Sequence, residues 1–96
     1  MVSSLADASV RQIADILRAH GVVHAAFFGS FARGTATEQS DVDLLVEFGQ
    51  PTSLLEMADL ELELGDLLGR SVEIVTYAAL NARIRGQVLR EQVVIL

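Results

Sequence analysis

Two acidic residues beside a turn of small residues have the types and spacing that could do chemistry in this chain. Asp41 and Asp43 lie two positions apart at the start of an apolar run that is typical of a β-strand. In a strand both side chains project from the same face, with Cα atoms about 6.5–7 Å apart. Carboxylates at that separation can bridge one or two hard cations, and Mg²⁺ is the usual choice when substrate phosphates supply further oxygens. In two-metal sites one ion activates the attacking oxygen and the other stabilises the leaving phosphate.

The small-residue turn precedes these acids and is suited to binding phosphate. Gly29 ends an apolar run and allows close approach of the backbone, while Ser30 opens a short helical turn whose N–H groups favour an anion. Arg33 either contacts a phosphate or forms a buried ion pair with one of the acids, and the ion pair is the preferred interpretation. Phosphates and carboxylates repel each other unless a divalent cation lies between them. The combination therefore indicates metal-assisted handling of a nucleoside triphosphate.

A third acid would complete a two-metal site, and Glu73 is the candidate. It is a single charge within the apolar run Val72 to Val75. A charge in such a strand must be solvated, paired or bound to a cation. The alternative interpretation is an edge-strand residue that faces water.

The other polar residues favour structural or solvated roles. Three acids of one predicted helix are expected to form a solvated face, two histidines to lie at the surface, and one tyrosine to pack; these are Glu61, Glu63, Asp66, His20, His24 and Tyr77.

Composition excludes several classes of protein. The net charge is −6, with seven Arg and no Lys, so no direct binding of nucleic acid is expected. There is no Cys, which excludes disulfides and thiolate metal sites. No apolar run approaches a membrane span, so a cytoplasmic protein is expected. The hydrophobic fraction of 51% predicts an apolar surface, and therefore a partner subunit or a homodimer.

The hydrophobic periodicity places the motifs on a simple series of elements. Ser4 is the expected N-cap of the first helix, and Ser53 with Glu56 forms a capping-box pattern. Residues 1–96 are expected to form one domain of the α+β class, an α/β sandwich. The predicted helices are 4–20, 53–68 and 78–90, the predicted strands are 22–28, 41–48 and 71–76, and 93–96 is an apolar tail.

The two motifs together resemble a known family. Gly-Ser-Phe-Ala-Arg-Gly stands at 29–34 and Ser-Asp-Val-Asp-Leu-Leu-Val at 40–46. This pattern resembles the signature of the DNA polymerase β-type nucleotidyltransferase superfamily, and most closely its minimal members, the MNT-domain proteins. The resemblance extends over nearly the whole chain and implies a small mixed sheet flanked by helices.

The resemblance also implies an activity and roles for residues. The family transfers a nucleoside monophosphate from a triphosphate, here ATP, to an acceptor with the help of Mg²⁺. The third family acid is usually Asp, on the strand that Glu73 occupies, and Glu is longer by one methylene. The implied catalytic and metal-binding residues are Asp41, Asp43 and Glu73, and the implied nucleotide-binding residues are Gly29, Ser30 and Arg33.

Minimal members of the family also resemble antitoxins that neutralise a HEPN-domain toxin, in some cases by AMPylation of a toxin Tyr. The resemblance thus implies a protein adenylyltransferase of a toxin–antitoxin system, with Glu73 as metal ligand or general base. Two alternatives remain: a catalytically inactive antitoxin that acts by binding alone, and nucleotidyl transfer to a small molecule or an RNA end.

Overall fold

Four helices and four strands make up the described part of the chain, residues 5–96 of a computed structural model. A single 3₁₀ turn, Tyr77–Ala79, joins the third strand to the last helix. The elements in chain order are α1 (Asp7–Ala19), β1 (Val22–Phe28), α2 (Ser30–Arg33), β2 (Val42–Phe48), α3 (Leu54–Leu68), β3 (Val72–Thr76), α4 (Ala82–Glu91) and β4 (Val93–Val94).

Local sequence signals explain most helix ends. The Ser53 hydroxyl accepts a hydrogen bond from the Glu56 N–H and donates one to its carboxylate, so the predicted capping box of α3 is confirmed. Gly69 ends α3 in the left-handed region, with φ 67°. The expected cap Ser4 lies outside the described residues; α1 begins at Asp7, later than predicted, and Ala6 gives it no side-chain cap.

The sheet is mixed, in the order β3-β2-β1-β4. β1 pairs antiparallel with both β2 and β4, whereas β2 and β3 run parallel and are joined by α3. The predicted α+β class with a small mixed sheet is therefore confirmed. Alternation along β2 places Val42, Leu44 and Val46 in the core formed with α1 and α3, and leaves Asp43 and Glu47 on the opposite face. The core helices contribute Ile13, Leu17, Leu60 and Leu64, all fully buried.

The C-terminal end of the chain differs from the prediction. A 3₁₀ turn replaces the first residues of the predicted helix 78–90, and α4 begins at Ala82 because the Asn81 side chain caps it by accepting from the Arg83 N–H at 2.8 Å. The apolar tail contains a short strand, β4, on the outer edge of β1. Its hydrogen bonds continue past the strand, where the Leu96 carbonyl accepts from the Ala25 N–H at 3.0 Å.

Acidic side chains on α3 have structural partners that the sequence did not predict. The Ile74 N–H of the edge strand β3 donates to Glu61 Oε2 at 2.7 Å, and Glu63 Oε1 lies 2.9 Å from His20 Nε2. The expected solvated acidic face holds for the exposed Glu63 and Asp66 and is wrong for Glu61, which is partly buried and bonded to β3. None of the helices within residues 5–96 is long and apolar enough to cross a membrane.

Candidate active site

The turn after β1 has a backbone conformation that requires glycine. Gly29 has φ 69° and ψ −145°, a region in which side chains other than glycine are strained. A Cβ added to Gly29 would lie 2.6 Å from Asp43 Oδ2, so the turn and the acid of the neighbouring strand are in close contact. α2 begins directly at Ser30, as expected, and ends at Gly34 in the left-handed region.

Strand register brings the predicted acids together on one face of the sheet. Asp43 on β2 is the Cα partner of Phe28 on β1 and of Glu73 on β3. Asp41 immediately precedes β2. Asp43 is half-buried, whereas Asp41 and Glu73 are exposed. The register thus places Glu73 beside Asp43. The exposed side chain of Glu73 also fits the alternative interpretation, an edge-strand residue that faces water.

Positive charge compensates the acids around Asp43 only in part. Burial raises the pKa of Asp43 above its ordinary value of 3.8, and the negative charges of Glu73 and Asp41 raise it further. The positive charge of Arg33 opposes these effects and is the weakest of them. Within residues 5–96 none of the three acids forms an ion pair. Such a cluster is stabilised by a bound cation.

The residues present fit a cation that is shared with a substrate. No three acidic or histidine side chains of residues 5–96 form a complete metal-ligand set. Mg²⁺ needs only one or two carboxylates when phosphate oxygens and water complete its octahedral shell. Asp41 and Asp43, with Glu73 beside them, could hold Mg²⁺ in that manner when a triphosphate occupies the glycine turn.

Arg33 does not form the expected buried ion pair. Its side chain is exposed at the end of α2, and no carboxylate of the described residues lies within ion-pair distance. α2 is a single turn on the surface, and it leaves the guanidinium in solvent near Gly29. That interpretation of Arg33 is therefore wrong, and the guanidinium is free to reach a bound anion.

Arg70 is a positioning residue that the motif reading missed. Its Nη1 donates to the carbonyl oxygens of Thr37 at 3.0 Å and Ser40 at 3.2 Å. Its guanidinium also lies 5.3 Å from the centroid of the Phe31 ring, a cation–π distance. Arg70 thus ties α2 to the loop that leads into Asp41. No local signal marks it, because its partners are main-chain carbonyls and a ring some 30 or more positions away.

The histidines and the tyrosine lie away from the acids. His24 stacks on Tyr77 with ring centroids 5.3 Å apart, and the Tyr77 hydroxyl donates to Gln92 Oε1 at 3.0 Å. Burial raises the pKa of Tyr77, and the charge of Glu47 adds to the effect. The packing role expected for Tyr77 is confirmed. Both histidines are partly exposed, in agreement with the expected surface positions, although each has a partner that the sequence did not predict.

The mixed sheet and the glycine turn beside the strand carboxylates together define a class of protein. This class is the enzymes that transfer a nucleoside phosphate. The sequence pattern of the family described as nucleotidyltransferase domain matches residues 10–95. The chain belongs to this nucleotidyltransferase family, and the resemblance inferred from residues 29–34 and 40–46 is confirmed.

Similar proteins agree with this assignment. MJ0435 of Methanocaldococcus jannaschii, a proposed protein adenylyltransferase, is 43% identical over 86 residues, which are 90% of this chain and 92% of that protein. The protein adenylyltransferase MntA of Thermococcus cleftensis is 42% identical over 93 residues, 88% of this chain and 94% of MntA. The solved structure of a proposed minimal nucleotidyltransferase superposes with a TM-score of 0.79 at 45% identity, covering 90% of this chain and 88% of that one.

More distant solved structures share the fold alone. One is an MNT antitoxin in complex with a tri-AMPylated HEPN toxin from Shewanella oneidensis, with a TM-score of 0.73, 18% identity, and coverage of 93% of this chain and 70% of that one. Another is a toxin–antitoxin structure with AMP-PNP, with a TM-score of 0.80, 21% identity, and coverage of 91% and 72%.

Proposed function

We propose that this protein is a Mg²⁺-dependent protein adenylyltransferase that transfers AMP from ATP to a HEPN-type toxin and acts as its antitoxin. The observation that carries the proposal is the contact between the glycine turn and the acid cluster, in which a Cβ at Gly29 would lie 2.6 Å from Asp43 Oδ2. This contact supports the proposal, because it brings the backbone expected to bind phosphate next to a carboxylate expected to hold the metal.

The proposed reaction is a displacement at the α-phosphorus of ATP. A hydroxyl oxygen of the acceptor bonds to that phosphorus, the bond from the phosphorus to the bridging oxygen breaks, and pyrophosphate leaves with the electron pair. Gly29 and the Ser30 N–H and hydroxyl hold the phosphates, and Arg33 adds a positive charge to them. Asp41 and Asp43 would hold Mg²⁺, which would neutralise charge and lower the pKa of the attacking hydroxyl. Glu73 would accept the hydroxyl proton; if Glu73 instead adds an oxygen to the metal shell, the proton would pass to water.

The relatives support the acceptor and the partner. MntA of Thermococcus cleftensis is a protein adenylyltransferase, and the Shewanella oneidensis complex joins an MNT antitoxin to an AMPylated HEPN toxin. The bound AMP-PNP of another structure with this fold supports the use of an adenine nucleotide.

Intact mass spectrometry of the toxin tests this proposal. The product of the neighbouring gene, which the proposal requires to be a HEPN-domain protein, is incubated with ATP, Mg²⁺ and either the wild-type protein or the isosteric double variant Asp41→Asn, Asp43→Asn. We expect one or more AMP additions with the wild type and none with the variant. A toxin mass that stays unchanged with the wild type, although the two proteins form a complex, would contradict AMP transfer.

Exposed leucines on α3 favour a second candidate function, an antitoxin that neutralises its toxin by binding alone. Leu54, Leu55 and Leu62 are 83%, 73% and 67% exposed, and such apolar surface is typical of a protein contact. Neutralisation of toxin ribonuclease activity without ATP and Mg²⁺, to the same extent as with them, would support this candidate over the enzyme.

A further inference from the structure

A small cavity lies between α4 and the turn that follows β1. Its volume is about 230 Å³, and its lining includes Phe28, Gly29 and Arg33 on one side and residues of α4 on the other. No residue of α4 is fully buried, whereas α1 and α3 each bury residues in the core. The inner face of α4 is therefore free to contact a bound molecule.

We propose that this cavity binds the nucleobase of the donor nucleotide and that α4 reads the base as adenine. The inference rests on the proposed function, because it takes phosphate binding at the turn as its starting point. Gly29 is in close contact with Asp43 and also lines the cavity. A triphosphate held at this turn thus has the acids at one end and the cavity within reach of its nucleoside. Drug-sized ligands occupy pockets of about 300–1,000 Å³, so the cavity suits a base rather than a whole nucleotide.

The apolar part of the lining suits the faces of a purine. Phe28, Ile84 and Val88 contribute an aromatic ring and two branched side chains. Ile84 is 47% exposed, and a base inserted beside it removes apolar surface from water. These groups bind any flat aromatic base, so they supply affinity and no choice between bases.

The polar part of the lining discriminates between bases. Gln87 Nε2 donates to Glu91 Oε1 at 2.9 Å, one helical turn along α4. An ionised carboxylate only accepts, so this contact fixes the amide with Oε1 turned away as a free acceptor. Gln87 and Glu91 therefore present carbonyl and carboxylate oxygens on the α4 side of the cavity, while the Arg33 guanidinium, a donor that also lines it, is assigned to the phosphates. Adenine offers an N6 amino donor at the position where guanine has the O6 acceptor, so these oxygens favour ATP over GTP.

A matched pair of tryptophan variants on α4 tests the cavity. Val88→Trp fills it, while Leu89→Trp places the same side chain at the next position, which does not line it. Calorimetry with Mg²⁺ measures the affinity for AMP-PNP and for inorganic tripolyphosphate, which has no base. We expect Val88→Trp to weaken AMP-PNP binding at least tenfold and to leave tripolyphosphate binding unchanged, with Leu89→Trp like the wild type. Thermal unfolding confirms that each variant is folded.

The outcomes separate this inference from the function on which it rests. If Val88→Trp binds AMP-PNP with wild-type affinity, or loses affinity equally for AMP-PNP and tripolyphosphate, the cavity does not bind the base. Neither result would contradict adenylyl transfer. Failure of the wild type to bind either compound would refute the proposed function itself, and the inference with it.

Base selectivity gives a second measurement. Gln87→Met keeps the length of the side chain and removes the free acceptor. We expect the ratio of AMP-PNP to GMP-PNP affinity to fall about tenfold, the upper range for loss of one hydrogen bond. A ratio that equals the wild-type ratio would show that α4 does not read the base.

Discussion

Asp43 couples the chemistry of the site to the stability of the fold. Its carboxylate is half-buried on β2 beside Glu73 and close to Asp41, and burial together with the charges of these neighbours raises its pKa above 3.8. The same repulsion that prepares the site for a cation destabilises the folded chain when no cation is bound.

We predict that Asp43→Asn is more stable than the wild type at pH 7 in metal-free buffer. Above pH 3.8 the native Asp43 retains protons that the unfolded chain releases, so wild-type stability falls as pH rises through the raised pKa. Asn cannot ionise and escapes this loss. Thermal unfolding of both proteins from pH 3 to 7.5 in EDTA checks this. The midpoint of Asp43→Asn should rise above that of the wild type as pH increases, and the two midpoints should converge below pH 3.8.

Added Mg²⁺ provides the control for this prediction. It should raise the wild-type midpoint, because a ligand of the native state stabilises that state, and have little effect on Asp43→Asn. A variant that is less stable than the wild type at pH 7 without metal would contradict the repulsion described for this cluster.

Two glycines at the two ends of α2 allow the effect of backbone strain to be separated from the effect of contact with the acid cluster. Gly29 and Gly34 both have positive φ, but a Cβ at Gly34 meets nothing within 4 Å. We predict that Gly34→Ala costs about 1–2 kcal/mol of stability, the cost of a left-handed residue, and retains tripolyphosphate binding. Gly29→Ala should cost more and abolish that binding, because the methyl group displaces the Asp43 carboxylate. Equal losses in the two variants, of tripolyphosphate affinity measured by calorimetry and of stability measured by urea unfolding, would refute this account.

Among the elements, α2 and the following loop depend on a contact from outside the motif. Arg70 connects Phe31 with the carbonyls of Thr37 and Ser40, the residue before Asp41. It therefore holds the two halves of the motif at a fixed distance, although it needs to touch no substrate.

We predict that Arg70→Met lowers kcat about tenfold or more and raises the Mg²⁺ concentration needed for half-maximal activity, with a smaller effect on the KM for ATP. The reason is that Asp41 loses its fixed position while the turn at Gly29 remains. Arg70→Lys should restore part of the activity, since an ammonium replaces the charge and one donor but not the planar fork. Arg83→Met, a variant of an exposed arginine on α4, serves as the control. An unchanged Mg²⁺ requirement for Arg70→Met would contradict a positioning role.

Elements with local signals could be predicted from the sequence, and those set by distant partners could not. Alternation along 41–48 identified β2, which begins one residue later, and the face of Asp43, and Ser53 with Glu56 identified the start of α3. β4 is only two residues long, and its pairing depends on β1, more than 60 positions earlier. The buried ion pair expected for Arg33 failed because α2 is a single surface turn. The contact made by Arg70 was missed because main-chain acceptors leave no trace in the side-chain pattern.

For the molecule as a whole, the apolar surface lies mainly on the outer side of α3. Leu55 and Leu62 are seven positions apart, two helical turns, so they share a face, and both are largely exposed. A partner chain, either the toxin or a second copy, is the expectation that this surface supports.

We predict that the double variant Leu55→Ser, Leu62→Ser keeps the wild-type stability to within about 0.5 kcal/mol per site, because exposed side chains contribute little to folding. Its tripolyphosphate affinity should be unchanged, while its affinity for the HEPN-type toxin should fall at least tenfold. Leu89→Ser on α4 is the matched control. Wild-type toxin affinity in the double variant would show that the partner binds elsewhere.

The hydrogen bond from Ile74 to Glu61 has a consequence for the behaviour of the chain in concentrated solution. An exposed strand edge is a template for addition of strands from other molecules, and mean hydropathy is high here, +0.42. Glu61 occupies a donor on the β3 edge and brings a negative charge to it, while the opposite edge is the two-residue β4. Neither end of the sheet offers a long, uncharged row of free donors and acceptors. Both edges of the sheet are thus weakened as templates for strand addition, although the chain exposes apolar surface on α3.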